Sequence, residues 1–262
     1  MIVAVGVGSG ATAAAAVAGG ADLVAYYNTA TYRVRGVPTA LSFLPYDNCN
    51  DLAHAISGEV VAAVAGRVPV LAGVGAHDPR VPLGRLLDQA SDDGADGVMN
   101  EPFISIYGAE IRDPMNEAGL GFDRELELLQ LAVERGMTTL GWAFDAEQAG
   151  RLAGAGVTYV GAMAGVMRSA SQPDEAVTAA INHLEEIAQS AREANTACRV
   201  LGHGGPFNSV GSVAQLLARA SLDGFMTGSN GERVPLHTGV RDTITQFKAI
   251  VTSRANEQQD GE

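Results

Sequence analysis

Eight short apolar runs, each followed by a stretch with helical periodicity, constrain this chain more than any other feature. The runs are 2–7 (IVAVGV), 22–27 (DLVAYY), 69–74 (PVLAGV), 96–100 (DGVMN), 138–142 (TTLGW), 157–161 (VTYVG), 199–203 (RVLGH) and 223–228 (DGFMTG). They show little polar–apolar alternation, which suits parallel strands covered on both faces. Between them, Leu83, Leu86, Leu87 and Ala90 share one helical face, as do Leu126, Leu129 and Val133. Val177, Ile181, Leu184 and Ala188 do the same over 174–194, and Val240, Ile244, Phe247 and Val251 over 238–253. Ser171 is the expected N-cap of the 174–194 helix, with Pro173 near its first turn. The Ala-rich segment 10–18 is read as a further helix.

Eight such pairs fit a closed (β/α)8 barrel or an open doubly wound sheet. The helix-to-strand turns are short and glycine-rich (Gly19-Gly20, Gly94-Ala95, Gly154-Ala155-Gly156), whereas the strand-to-helix loops at 28–49 and 101–122 are long and polar. That asymmetry favours the barrel. No linker divides the chain, so the expectation is one α/β domain over 1–253 and a disordered tail over 254–262.

Charge and composition narrow the function. The net charge is −13 with no basic run, which argues against nucleic acid or an anionic membrane as partner. Apolar stretches break well short of the roughly 20 residues of a membrane span. The start, MIVAVGVGSG, has no positively charged leader and reads as a strand. Cys49 and Cys198 have no metal-like spacing, so a reduced, cytoplasmic protein is expected. The single lysine, Lys248, stands beside Phe247 on the last helix, away from the strand ends. Aldolase chemistry through a Schiff base, or pyridoxal phosphate (PLP), is therefore not expected.

In a barrel, functional groups collect where strands end. After the first strand, Gly8-Ser9-Gly10 enters a helix and offers backbone N–H groups to an anion, or simply forms a turn capped by Ser9. It is neither a Walker loop nor a complete GxGxxG, so no nicotinamide or flavin cofactor is expected. The second strand delivers Asn28, Tyr32, Arg33 and Arg35, and its loop carries Asp47 and Asn50, which also suit capping of the next helix. The third delivers His77-Asp78-Pro79, the fourth Asn100-Glu101-Pro102, the seventh His203 with Gly204 and Gly205, and the eighth Ser229, Asn230, Glu232 and Arg233. Asp78 and Glu101 suit a general base or ligands of a hard divalent ion. Glu232 beside Arg233 also reads as a structural ion pair. No Gly-x-Ser-x-Gly elbow accompanies the HGG of 203–205, and no His-Glu-x-x-His occurs, which argues against a lipase-type hydrolase and a zincin.

The succession GVGSG (6–10), GGADLVAYYNTATYRVRG (19–36), LPYDNCN (44–50), PVLAGVGAHDP (69–79), LGHGGP (201–206) and GSNGERVP (228–235) resembles the phosphoenolpyruvate hydrolase-like TIM-barrel family. The same barrel forms the carboxyl-terminal half of a plant virus-resistance protein. The likeness runs over nearly the whole chain in matching order. It implies a single TIM barrel of the phosphoenolpyruvate/pyruvate type. It further implies a small anionic or carbonyl substrate, often magnesium (Mg2+), with Asp78 and Glu101 as the available ligands, and a homo-oligomer.

The expected activity is hydrolysis, or cleavage of a C–C or C–P bond, through an enolate-like intermediate. His203, Asp78 and Glu101 are the catalytic candidates. Ser9, Asn28, Tyr32, Arg33, Asn100, Gly204, Gly205, Ser229, Glu232 and Arg233 are the expected substrate contacts. The alternatives are an isomerase or tautomerase using the same enol chemistry, and a ligand-binding or regulatory barrel. The chain departs from the family pattern at three strand ends. Asn100-Glu101-Pro102-Phe103 stands for Asn-Phe-Pro-Thr, Ala162-Met163-Ala164-Gly165-Val166 for His-Met-Gly-x-Thr, and Gly228-Ser229-Asn230 for Ala-Ser-Ser. A strand-six histidine and threonine are thus absent, a carboxylate is new, and the usual helix before strand one is missing.

Overall fold

The computed structural model describes residues 1–165 and 173–259. The chain alternates strand and helix: β1 (Ile2–Val7), α1 (Gly10–Ala18), β2 (Leu23–Tyr26), α2 (Asn28–Val34), α3 (Cys49–Val64), β3 (Val70–Gly73), α4 (Leu83–Asp92) and β4 (Gly97–Met99). Then come α5 (Ala109–Glu117), α6 (Phe122–Glu134), β5 (Thr138–Ala143), α7 (Ala146–Gly154), β6 (Tyr159–Met163), α8 (Asp174–Ala194), β7 (Arg199–His203), α9 (Val210–Arg219), β8 (Gly224–Thr227) and α10 (Arg233–Gln259). Every strand pairs in parallel with its sequence neighbours, and β8 closes onto β1 through Ile2↔Gly224 to Val5↔Thr227. The sheet is a closed (β/α)8 barrel, so the open-sheet alternative falls.

Two apolar layers hold it. Ala4, Leu23, Ala25, Leu71, Met99, Leu140, Leu201 and Met226 fill the barrel interior, and Trp142 and Met163 join them. A second layer lies between strands and helices, with Val5, Val24, Val70, Val98, Val160 and Val200 meeting Leu87, Leu129, Leu152, Ile181 and Leu184. Removing apolar area of this kind from water stabilises the fold by about 25 cal/mol per Å².

The foot of the barrel is tied in pairs by side chains. Asp22 before β2 accepts the N–H of Val3, Asp96 before β4 that of Val70, and Asp223 before β8 that of Val200, each at 2.8 Å. Between β5 and β6 two threonines do the same work reciprocally, Thr139 N–H to Thr158 Oγ1 at 3.2 Å and Thr158 N–H to Thr139 Oγ1 at 2.9 Å.

Three expectations take a different form. The Ser171 cap lies outside the described residues, and α8 begins with Pro173 at its cap position. Asn48, rather than Asp47, caps α3, its side chain accepting from the N–H groups of Asn50 and Asp51. The apolar stripe of α10 does not pack on the barrel: Val240, Ile244 and Phe247 are 57%, 54% and 62% exposed, as are Ile250 and, near the start, Val234 and Leu236 to a similar degree. The helix continues to Gln259, into the segment read from sequence as a tail, and 260–262 lie outside the described residues.

Candidate functional site

Over the carboxyl ends of the strands lie two adjoining cavities of about 660 and about 550 Å³, both bordered by Phe43 and Phe103. Such volumes suit small ligands. The first takes Tyr27, Arg33, Glu101, His203, Ser229 and Arg233 among its walls. The second takes Asn28, Tyr32, Asp47, Cys49, His77 and Asp78. The sequence-derived candidates are therefore divided: His203 and Glu101 share one chamber, and Asp78 faces the other.

His203 ends β7. Its Nδ1 lies 2.7 Å from the carbonyl of Met226 on β8, which can only accept, so Nδ1 carries a proton and Nε2 a lone pair. The ring rests on Trp142 with centroids 5.1 Å apart. Burial, and secondarily the Arg33 cation, lowers its pKa, so the imidazole is neutral at pH 7. Glu101 follows β4 through a cis bond to Pro102 and is buried. Burial pushes its carboxyl up to about 7, against the opposing pull of Arg33 and a hydrogen bond from Thr29. It is the one acidic residue among the described walls of its chamber.

Arg33 borders that chamber and is committed to Glu232, whose side chain is fully buried behind it. Arg33 Nε donates to Glu232 Oε2 at 2.9 Å, Nη1 to the Tyr27 hydroxyl at 3.1 Å and Nη2 to the Gly6 carbonyl at 2.8 Å. Glu232 Oε1 accepts from the N–H of Gly8 at 2.5 Å and from Thr12 Oγ1 at 2.7 Å. The anion expected at the Gly8-Ser9-Gly10 turn is thus the chain's own Glu232 carboxylate. Ser9 serves as the N-cap of α1 and accepts from the N–H of Thr12. Gly8 is required there because a Cβ would lie 2.2 Å from the Ala30 carbonyl oxygen.

Other expected substrate contacts have protein partners. Asn100 is fully buried, with Oδ1 accepting from the N–H of Trp142 at 2.7 Å and Nδ2 donating to Glu125 at 2.6 Å. Glu125, which the sequence reading passed over as one residue of a helix, also takes the N–H of Ile104, and burial pushes it up to about 7. Gly204 and Gly205 approach protein rather than the cavity. A Cβ on Gly204 would lie 2.3 Å from the Gly165 carbonyl oxygen, and the N–H of Gly205 donates to that same oxygen at 3.0 Å. Tyr32 donates to Asp47 at 2.6 Å. Ser229 borders the first cavity, and Arg233 reaches Thr39 at its rim.

In the second cavity Arg80 grips both oxygens of Asp78 at 2.8 Å and holds its carboxyl down at about 2, so it stays ionised and is a weak base. Asn50 clamps the backbone of Gly75 through both its side-chain atoms. Burial lowers the pKa of His77 and pushes the Cys49 thiol up to about 11.

Magnesium requires several oxygen ligands, often carboxylates. Among the described residues no three His, Cys, Asp or Glu side chains gather to hold an ion. Glu232 is committed to Arg33 and Asp78 to Arg80. Of the two expected ligands that leaves Glu101, on the wall of the first chamber, as the carboxylate outside an ion pair; a magnesium ion held there would take its other ligands from water and substrate, and no step below runs through one. No helix among the described residues is long and apolar enough to cross a membrane.

Comparison with known proteins agrees with this architecture. The model of a family described as phosphoenolpyruvate hydrolase-like matches residues 1–250. The chain is 31% identical over 253 residues to the ToMV susceptible protein tm-1(GCR26) of Solanum lycopersicum, covering 95% of this chain and 33% of that protein. It is 29% identical to the putative transcriptional regulatory protein y4pA of Sinorhizobium fredii, covering 96% of this chain and 42% of the other. The chain thus spans well under half the length of these relatives. Among solved structures, oxaloacetate acetylhydrolase in complex with the product oxalate superposes with a TM-score of 0.61 at 13% identity, covering 95% of this chain and 82% of that one. Phosphoenolpyruvate phosphomutase from Streptomyces platensis subsp. rosaceus gives 0.59 at 14%, covering 97% and 83%. At these identities the structural likeness concerns the fold.

Proposed function

Because the chain belongs to the phosphoenolpyruvate hydrolase-like family, we propose that its first chamber acts on a small 2-oxo or enol acid, or a related carbonyl compound. The reaction is hydrolysis, or cleavage of a C–C or C–P bond, through an enolate. The observation that carries this reading is the pairing of His203 and Glu101 in one cavity with complementary protonation states. His203 presents the Nε2 lone pair and accepts a proton from water or a substrate hydroxyl. Glu101, near half-protonated at pH 7, returns a proton to the enolate carbon. The names of the superposed enzymes, an oxaloacetate acetylhydrolase and a phosphoenolpyruvate phosphomutase, support the substrate class.

Turnover of a 2-oxo acid panel, with and without magnesium, tests it. Activity requires His203 neutral and Glu101 protonated. It therefore falls as pH rises through about 7, and falls again below the depressed histidine value. His203→Ala and Glu101→Gln each lower kcat by about 10²–10⁴. A rate that climbs through pH 7 to a plateau contradicts the role given to Glu101. The ligand-binding alternative draws support from the relative described as a transcriptional regulator. It predicts ligands that raise Tm without any turnover.

The same reading includes a homo-oligomer, supported by α10. Val240, Ile244 and Phe247 follow one another on a single helix face and are all more than half exposed. A second copy of this chain would cover that stripe.

A further inference from the structure

Tyr27, just after β2, is 3% exposed and borders the first chamber. Its hydroxyl accepts from Arg33 Nη1, yet among the described residues no atom accepts its own proton. A buried hydroxyl with an unused donor costs stability unless a ligand or water takes it up. The location is defined by Gly228 on the cavity wall. A Cβ placed there would lie 3.4 Å from Arg33 Nη1, 3.5 Å from His203 Cε1 and 3.8 Å from the Tyr27 hydroxyl. Because residue 228 is glycine, a ligand atom has that space, with the phenol, the guanidinium and the imidazole around it. Arg33 is fixed there by Glu232 and Gly6, so the Tyr27 hydroxyl is held from behind and needs no reorganisation.

We propose that Tyr27 is a further catalytic residue, the donor that receives the oxyanion of the enolate, and that Arg33 is a positioning residue acting through it. This rests on the enolate reading of the chamber. As the bond at the α-carbon breaks, its electron pair forms the C=C bond and the carbonyl π pair moves to oxygen. The Tyr27 O–H donates a hydrogen bond to that oxygen and keeps its proton. Burial, which pushes its pKa up to about 12, is consistent with a donor that does not ionise.

The test measures exchange of the methyl protons of pyruvate into D2O by NMR, and calorimetric binding of oxalate, a planar mimic of enolpyruvate. In Tyr27→Phe, exchange falls by about 10²-fold or more, the loss expected for one oxyanion donor. Oxalate binding weakens, while the KM for pyruvate and the melting temperature stay near wild type, a split that a packing role does not produce. Arg33→Lys, added to Tyr27→Phe, costs no further exchange if Arg33 acts through the phenol. Exchange within about threefold of wild type in Tyr27→Phe overturns the assignment of Tyr27 alone. A wild-type protein that neither exchanges pyruvate nor binds oxalate overturns the enolate reading, and the proposal with it.

Discussion

The ion pair between Arg33 and Glu232 gives the sharpest stability prediction. Its side chains are 3% and 0% exposed, and Glu232 also satisfies Gly8 and Thr12 of the first βα unit. Glu232→Gln leaves the Arg33 cation buried without a counter-charge. Loss of one partner in such a pair costs about 3–5 kcal/mol. At roughly 2–4 °C per kcal/mol for a large domain, Tm falls by roughly 6–20 °C. Arg33→Met fails comparably by stranding the carboxylate. Combining Arg33→Met with Glu232→Leu removes both charges, so the double variant loses less than the sum of the singles. What remains is the unsatisfied Gly8 N–H and Thr12 hydroxyl, about 1–3 kcal/mol for each group. Urea unfolding of the four proteins gives the coupling energy directly. A Glu232→Gln cost below about 1 kcal/mol, the range of an exposed pair, refutes the claim that this pair holds the fold. It would return Arg33 to the role of a direct substrate ligand.

Other perturbations report on separate parts of the molecule. The folded-state value of Glu101, about 7, lies above the ordinary carboxyl value, so the stability its protonated form contributes is present below that ordinary value and lost as pH rises through about 7. Glu101→Gln therefore gains on wild type between pH 5 and 8 in denaturant titrations, and a pH-independent difference speaks against a buried, proton-holding carboxyl. Ile244→Glu with Phe247→Glu lowers the molar mass measured by light scattering if a second copy covers α10, whereas an unchanged mass removes that interface. Gly204→Ala places a Cβ 2.3 Å from the Gly165 carbonyl oxygen at a φ of +80°, so Tm drops by several degrees in a thermal melt.

The eight strands were legible because burial on both faces leaves each one a continuous apolar run, a property confined to a few adjacent residues. The split of the mouth into two chambers was not, since Asp78 and His203 both stand at strand ends and only three-dimensional placement parts them. Arg33 and Glu232 are 199 positions apart, and neither carries a local mark of its partner. The Gly8-Ser9-Gly10 turn correctly signalled a need for negative charge, but sequence does not say whether that charge is a ligand or a distant side chain. Tyr27 stands at the end of an apolar run, and nothing in that run shows what its hydroxyl faces. Its chemistry comes from Arg33, six residues later. A similar limit arose at α10, where periodicity correctly gave an apolar face but could not say what covers it.

A local signal for the pairing of strands was nevertheless present. Asp22, Asp96 and Asp223 each stand directly before an even-numbered strand, and each binds the N–H at the foot of the preceding odd one. Thr139 and Thr158 supply the equivalent tie for the remaining pair. The barrel is therefore fastened at its amino-terminal end as four two-strand units, β1–β2 through β7–β8. The carboxyl-terminal end is fastened differently, because beside ties within a unit, such as His203 to Met226 and Arg33 to Gly6, it carries links that run between units. Arg33 from the β1–β2 unit meets Glu232 from the β7–β8 unit, and Asn50 after β2 holds Gly75 after β3. The bonds at the foot lie within units and repeat. Those at the mouth, within units and between them, follow no such repeat, which leaves its polar groups free to differ from strand to strand. That division places Tyr27, Glu101 and His203, from three different units, around one chamber.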